Sequence, residues 1–136
     1  LLKKDKSSKC PGSIINITSM YGKVSPYPYI YEKTNQKPNP PYYGAAKAGL
    51  IQLTKWMACN LSEYFVRVNS ISFGAFPDVM TQTNHPKFIS ELEKKIPLRR
   101  IGHPDEVKGP LVFLASNASS YITGADISVD GGWTAW

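Results

Sequence analysis

Three short runs rich in apolar and β-branched residues punctuate the chain: Gly12-Ser13-Ile14-Ile15-Asn16-Ile17-Thr18-Ser19, Val66-Arg67-Val68-Asn69-Ser70-Ile71-Ser72-Phe73-Gly74, and Asp126-Ile127-Ser128-Val129-Asp130-Gly131-Gly132. Their length, their composition and the glycines beside them predict buried strands. Between the first two runs, Tyr43, Leu50, Ile51, Leu53, Trp56, Met57 and Leu61 recur at the three- and four-residue steps of a helix. A second helical pattern, Phe88, Ile89, Leu92 and Ile96, lies within residues 80–96, a segment that also contains Pro86. His103-Pro104-Asp105-Glu106 has the form of a helix start, with Pro in the first turn and acids at the positive end, and Pro110 is expected to kink that helix. Leu1 to Lys9 reads as the polar end of a helix leading into the first strand. Strands alternating with helices predict an α/β fold with a parallel sheet and crossover helices.

One sequence unit occurs twice with opposite surroundings. Tyr29 and Lys33 are four apart, but Pro26, Pro28, Pro38, Pro40 and Pro41 surround them, so no helix is expected there. Tyr43 and Lys47 are also four apart, and they open the apolar helical run through Gly44, Ala45, Ala46, Ala48 and Gly49. Residues four apart on a helix share a face, so this phenol and amine point into one cleft. An ammonium beside a phenol favours the phenolate, which suits Tyr43 to proton transfer near neutral pH. Ser19 ends the first strand, and a parallel strand delivers its last side chain to the ligand-binding edge of the sheet.

Composition narrows the alternatives. A chain of 136 residues fits one domain with a buried core. The net charge of +6 is dispersed, with half of the excess in the first nine residues, so nucleic acid is not an expected partner. No run approaches the roughly 18 apolar residues of a membrane span. Cys10 and Cys59 have no motif spacing, and Cys59 is expected as a reduced core thiol in a cytoplasmic protein. His85 and His103 are isolated, so no metal site is expected.

The runs Gly12 to Ser19, Tyr43-Gly44-Ala45-Ala46-Lys47-Ala48-Gly49, Arg67-Val68-Asn69-Ser70-Ile71, Arg100-Ile101-Gly102-His103-Pro104-Asp105-Glu106-Val107 and Tyr121-Ile122-Thr123-Gly124-Ala125-Asp126 to Gly132 jointly resemble the carboxyl-terminal half of a short-chain dehydrogenase/reductase. The resemblance implies a Rossmann-like, doubly wound parallel sheet, present only as its carboxyl-terminal portion. It also implies an NAD(P)-dependent oxidoreductase that moves a hydride between NAD or NADP and a small carbonyl or alcohol substrate. In that comparison Ser19 positions the reacting carbonyl, Tyr43 is the acid/base, and Lys47 holds the nicotinamide ribose and supports Tyr43. Gly74 and the Phe76 backbone meet the nicotinamide carboxamide. Residues 80–96 correspond to the family's lid over the substrate. A homodimer or homotetramer is implied for the intact enzyme.

Other family features are missing or altered. The Gly-rich dinucleotide turn, the Asn-Asn-Ala-Gly segment and the relay Asn do not occur, so residues 1–136 are expected to be a partial NAD(P)-binding domain that is inactive alone. The 23 residues between Ser19 and Tyr43 form a longer connection than the family's usual one. Tyr27, Tyr29 and Tyr31 within it are expected to wall the substrate pocket. Asp78 stands where the family places a Thr near the cofactor, and is expected to turn from the pyrophosphate or to serve the substrate. The insert and Asp78 together resemble a subgroup tied to bacterial surface-sugar and flagellin-glycan pathways, which implies a sugar-derived substrate. The alternative reading is a non-catalytic scaffold or oligomerisation subunit built on the same fold.

Overall fold

The computed structural model describes residues 12–136, so the helix expected at Leu1 to Lys9 and the thiol of Cys10 lie outside the described residues. In chain order the elements are β1 (Gly12–Ser19), α1 (Pro28–Thr34), α2 (Pro41–Leu61), β2 (Val66–Phe73), α3 (Val79–Asn84), α4 (Pro86–Lys95), α5 (Lys108–Ala115) and β3 (Asp126–Val129). The three strands form one parallel sheet in the order β1-β2-β3. Gly12 is opposite Val66 and Ser19 opposite Phe73, while Ser70 to Phe73 pair with Asp126 to Val129. Helices lie on both faces, as a doubly wound sheet requires. Asn16 donates to Thr54 of α2 on one face, and Ser13 donates to the Leu114 carbonyl of α5 on the other.

β2 is the centre of the sheet, and from Val66 to Ile71 its residues are buried, Arg67, Asn69 and Ser70 among them. Such groups are tolerated only when bonded. Arg67 donates to the Ser119 hydroxyl at 2.9 Å and to the carbonyls of Leu114 at 2.9 Å and Ser116 at 3.2 Å. It thereby satisfies carbonyls that the end of α5 leaves without helical partners. Asn69 donates to the Ile122 carbonyl and accepts from the Ala125 amide, which fixes the approach to β3.

The other face carries a carboxylate that joins all three strands. Asp126 of β3 accepts from Ser70 at 2.6 Å, from Ser72 at 2.9 Å and from Thr18 of β1 at 3.2 Å. Lys23 reaches it at 2.5 Å and also donates to Ser128. Burial pushes the Asp126 carboxyl up, but the Lys23 ammonium and the Ser70 and Ser72 hydroxyls outweigh it and hold the carboxyl below its usual range.

Proline placement explains where the helices depart from expectation. Residues 28–34 are helical after all: Pro28 occupies the first turn, where its missing N–H is no loss, and Asn35 closes the helix in the left-handed region at φ 53°. Pro26 precedes the helix, and Pro38, Pro40 and Pro41 lie beyond that stop. Residues 80–96 divide into α3 and α4 at His85, with Pro86 opening α4. Pro110 kinks nothing, because a short 3-10 turn (Pro104–Val107) gives way to α5 at Lys108 and Pro110 falls in the first turn of the new helix. Cys59 is exposed rather than in the core, since α2 turns Thr54 and Ala58 inward and the next residue is rotated away.

The turn Met20–Gly22 sits directly on α2. A Cβ at Gly22 would lie 2.8 Å from the Lys47 carbonyl carbon and 2.9 Å from the Ala48 amide nitrogen, and a Cβ at Gly44 would lie 2.9 Å from the Tyr21 carbonyl oxygen. Two glycines thus let the end of β1 approach the helix backbone. A chain carrying Gly22→Ala should lose about 1–3 kcal/mol in urea denaturation, as overpacking against backbone predicts. Asp126→Ala should cost about 1–3 kcal/mol by the same measurement, because Lys23 loses its counter-charge and the buried Ser70 hydroxyl its acceptor. A carboxyl depressed in the folded state contributes stability fully above its unfolded value near 3.9 and loses it as pH falls through the folded value. The denaturation midpoint should therefore fall below about pH 4, and Lys23→Met should shrink that acid dependence.

Candidate active site

Ser19 is the last residue of β1 and is buried. Its Oγ accepts from the Tyr21 amide at 3.2 Å and caps the Met20–Gly22 turn. A hydroxyl that accepts there keeps its own hydrogen for another acceptor. The turn bears on α2 through Gly22 and Gly44, which brings Ser19 to the stretch of helix that carries Tyr43 and Lys47.

Tyr43 and Lys47 share a face of α2, with the Lys47 Nζ 5.6 Å from the centroid of the Tyr43 ring. The Lys47 ammonium also donates to the Ile17 carbonyl at 2.9 Å. That carbonyl lies on the outer edge of β1. Gly12 donates to Phe65 at 2.9 Å, so the even-numbered residues of β1 turn their backbone groups to β2 and the odd-numbered ones turn theirs away. One of three ammonium donors holds the backbone, and two others are left for a ligand.

The second copy of the unit has the same local geometry, because residues 28–34 are helical: Lys33 Nζ stands 5.3 Å from the Tyr29 ring centroid. Surroundings separate the two. Tyr29 is exposed and Lys33 pairs with Glu91 at 3.0 Å, whereas Tyr43 packs on a buried cluster beside the end of β1.

Gly74 and Phe76 follow β2. A Cβ at Gly74 would fall 2.5 Å from the Asp130 Cα, so this glycine allows the ends of β2 and β3 to close up. Phe76 stacks edge-on against Phe73 and presses on Gly102, where any Cβ would strike its ring at 2.3 Å. With Ala75, Arg100, Gly131 and Gly132 it lines a cavity of about 390 Å³. Arg100 and a backbone N–H of His103 hold Glu106 down at about 2. Asp78 caps α3 by accepting from the Thr81 amide, which lowers its carboxyl.

A second cavity, of about 360 Å³, lies beside Tyr43. The insert contributes Pro26, Asn39, Pro40 and Pro41 to its wall, together with Tyr21 and Lys23. The tyrosines expected there are elsewhere. Tyr27 and Tyr29 pack on each other in solvent, and Tyr31 is buried with its hydroxyl 2.5 Å from that of Tyr21. Burial pushes both of these phenols up, so the pair stays protonated. The parts played by Tyr21, Lys23 and Asp126 escaped sequence reasoning, and Tyr31, expected in the pocket wall, lies in the core instead. The one available signal was the position of Tyr21 two residues beyond Ser19.

Among the described residues no group of three or more His, Cys, Asp or Glu side chains is gathered for a metal, and no helix is long and apolar enough to cross a membrane. The chain is similar over 126 residues to a (3R)-3-hydroxyacyl-CoA dehydrogenase of Canis lupus familiaris, at 40% identity, covering 93% of this chain and 44% of that protein. A crystal structure of a short chain dehydrogenase from Leptospira borgpetersenii with bound NAD+ superposes with a TM-score of 0.79 at 36% identity, covering 90% of this chain and 44% of that one. A gluconate 5-dehydrogenase from Burkholderia cenocepacia, in complex with NADP and tartrate, superposes at 0.78 with 30% identity, covering 93% and 46%. The chain therefore spans a little under half the length of these proteins. The family profile described as enoyl-(acyl carrier protein) reductase matches residues 3–134, and with these likenesses it shows that the chain belongs to the short-chain dehydrogenase/reductase superfamily.

Proposed function

We propose that this chain is the catalytic, carboxyl-terminal half of an NAD(P)-dependent oxidoreductase acting on a small carbonyl or alcohol, with Ser19, Tyr43 and Lys47 as its working set. The observation that carries the reading is the seating of the Ser19-capped turn on α2 at the helical turn where Tyr43 and Lys47 share a face. A second helix with the same Tyr-Lys spacing lacks that seating, so spacing alone does not explain it.

The residues present suit the nicotinamide end of a dinucleotide. Lys47 has donors left for ribose hydroxyls, and the chain around Gly74 and Phe76 lies at the same edge of the sheet. The nicotinamide, when bound, supplies or accepts the hydride. Ser19 donates its hydroxyl hydrogen to the substrate oxygen, oriented by the Tyr21 amide. The Tyr43 phenol gives a proton to that oxygen on reduction and takes it back on oxidation, with the Lys47 charge at hand. The upstream half would bring the phosphate-binding turn, so this portion alone is expected to be inactive. A sugar-derived substrate is the favoured class, consistent with the sugar-acid enzyme among the structural likenesses. An exposed, unpaired Cys59 suits a reducing cytoplasm.

A scaffold reading rests on a different observation. Tyr42, Leu53 and Trp56 of α2 are exposed, at 74%, 46% and 60%. Such a surface suits pairing with a second copy. In the longer protein that carries the upstream half, assayed with D-gluconate and 3-hydroxybutyryl-CoA against NAD+ and NADP+, Tyr43→Phe should lower kcat at least about a hundredfold and leave the assembly state unchanged in light scattering. Turnover that survives this change removes the catalytic reading. Trp56→Glu should instead shift the assembly toward monomer while sparing the chemistry, and an unaltered mass in light scattering would exclude the exposed face of α2 from the interface.

A further inference from the structure

Within the insert between Ser19 and Tyr43, α1 sends two side chains inward, Ile30 and Tyr31. Tyr31, in α1, is buried in a cluster with Met20, Tyr21, Ile30, Leu92, Ile96 and Trp133, and its ring lies tilted on Phe88 at 5.5 Å. Its hydroxyl meets the Tyr21 hydroxyl at 2.5 Å. Tyr21 is also the residue whose amide orients Ser19, whose carbonyl faces Gly44, and whose side chain lines the cavity beside Tyr43. Tyr43 itself packs against this cluster.

Packing does not require the two hydroxyls. A buried hydroxyl pair gives up bonds to water in order to bond within, and two phenylalanines of the same shape would be close to neutral in stability. What the oxygens add is direction: a hydrogen bond fixes the ring of Tyr21 where apolar contact alone lets it slide. We propose that Tyr31 is a positioning residue, whose bond to Tyr21 holds the Met20–Gly22 turn on α2 and so sets Ser19 against Tyr43. The insert then acts on the chemistry from beneath the site rather than from its rim. This inference rests on the catalytic reading of Ser19 and Tyr43 given above.

The test uses the longer protein and whichever of D-gluconate and 3-hydroxybutyryl-CoA it oxidises faster. Tyr31→Phe is expected to lower kcat about tenfold with KM within about twofold, since the misplaced groups act on the reaction and not on binding. It also leaves the Tyr21 hydroxyl buried without its partner and lowers the melting temperature. The double variant Tyr21→Phe/Tyr31→Phe separates the causes, and is expected to regain the melting temperature while kcat stays low. Recovery of both, or an unchanged kcat in Tyr31→Phe, overturns the positioning role. Tyr43→Phe run beside them tells the two readings apart. A dead Tyr43→Phe with a fully active Tyr31→Phe removes only the positioning role, whereas a live Tyr43→Phe removes the catalytic assignment and the positioning role with it.

Discussion

A single carboxylate holds this half-sheet in order. Asp126, on β3, gathers hydroxyls from the other two strands, Thr18 from β1 and Ser70 and Ser72 from β2, and fastens to Lys23 just past the Met20–Gly22 turn. Ser19 caps one end of that turn and Lys23 closes the other. Order in the sheet and placement of the candidate catalytic hydroxyl therefore depend on one charge being compensated. Buried ions are poor sources of net stability but demanding of geometry, and the residues around Asp126 supply that geometry from separate strands.

The strands and the long helix were legible because their signals are local. Gly12 to Ser19 is a strand over the expected span, and the helix through Tyr43 and Leu61 begins two residues early only because Pro41 serves as its first residue. The shared face of Tyr43 and Lys47 followed from helical period alone. Other features depend on contacts far apart in the chain. Tyr31 reads as a loop aromatic until α4 and the Met20–Gly22 turn close around it. Arg67 falls in a run that predicts a buried strand, and the carbonyls at the end of α5 that receive it lie 47 and 49 residues further along the chain. The density of prolines around Tyr29 was misleading for the opposite reason: prolines forbid a helix by position, not by number, and here they fall before it, in its first turn or after its stop.

The insert is better understood as structure than as a flap. Lys95 of α4 lies 5.8 Å from the ring of Tyr27, 5.6 Å from that of Trp133 and 5.0 Å from that of Trp136, so an ammonium and three rings join the insert, the helix after Pro86 and the turn beyond β3. Tyr31 makes the corresponding inner connection. Residues 28–34 are thus anchored at both depths, with Pro26 and residues 39–41 left to shape the cavity wall.

The bond from Thr18 to Asp126 makes the carboxylate a reader of the alignment of β1. Sliding β1 by one residue along β2 exchanges its even and odd members, turning the Ile17 carbonyl inward and carrying Thr18 to the face opposite Asp126. The carboxylate would then lose its tie to β1 and keep only its bonds to Ser70 and Ser72 of β2 and to Lys23. An out-of-phase strand still offers Lys47 an outward backbone carbonyl, so it is the hydroxyl of Thr18, and not the lysine, that ties the alignment of β1 to the charge on β3.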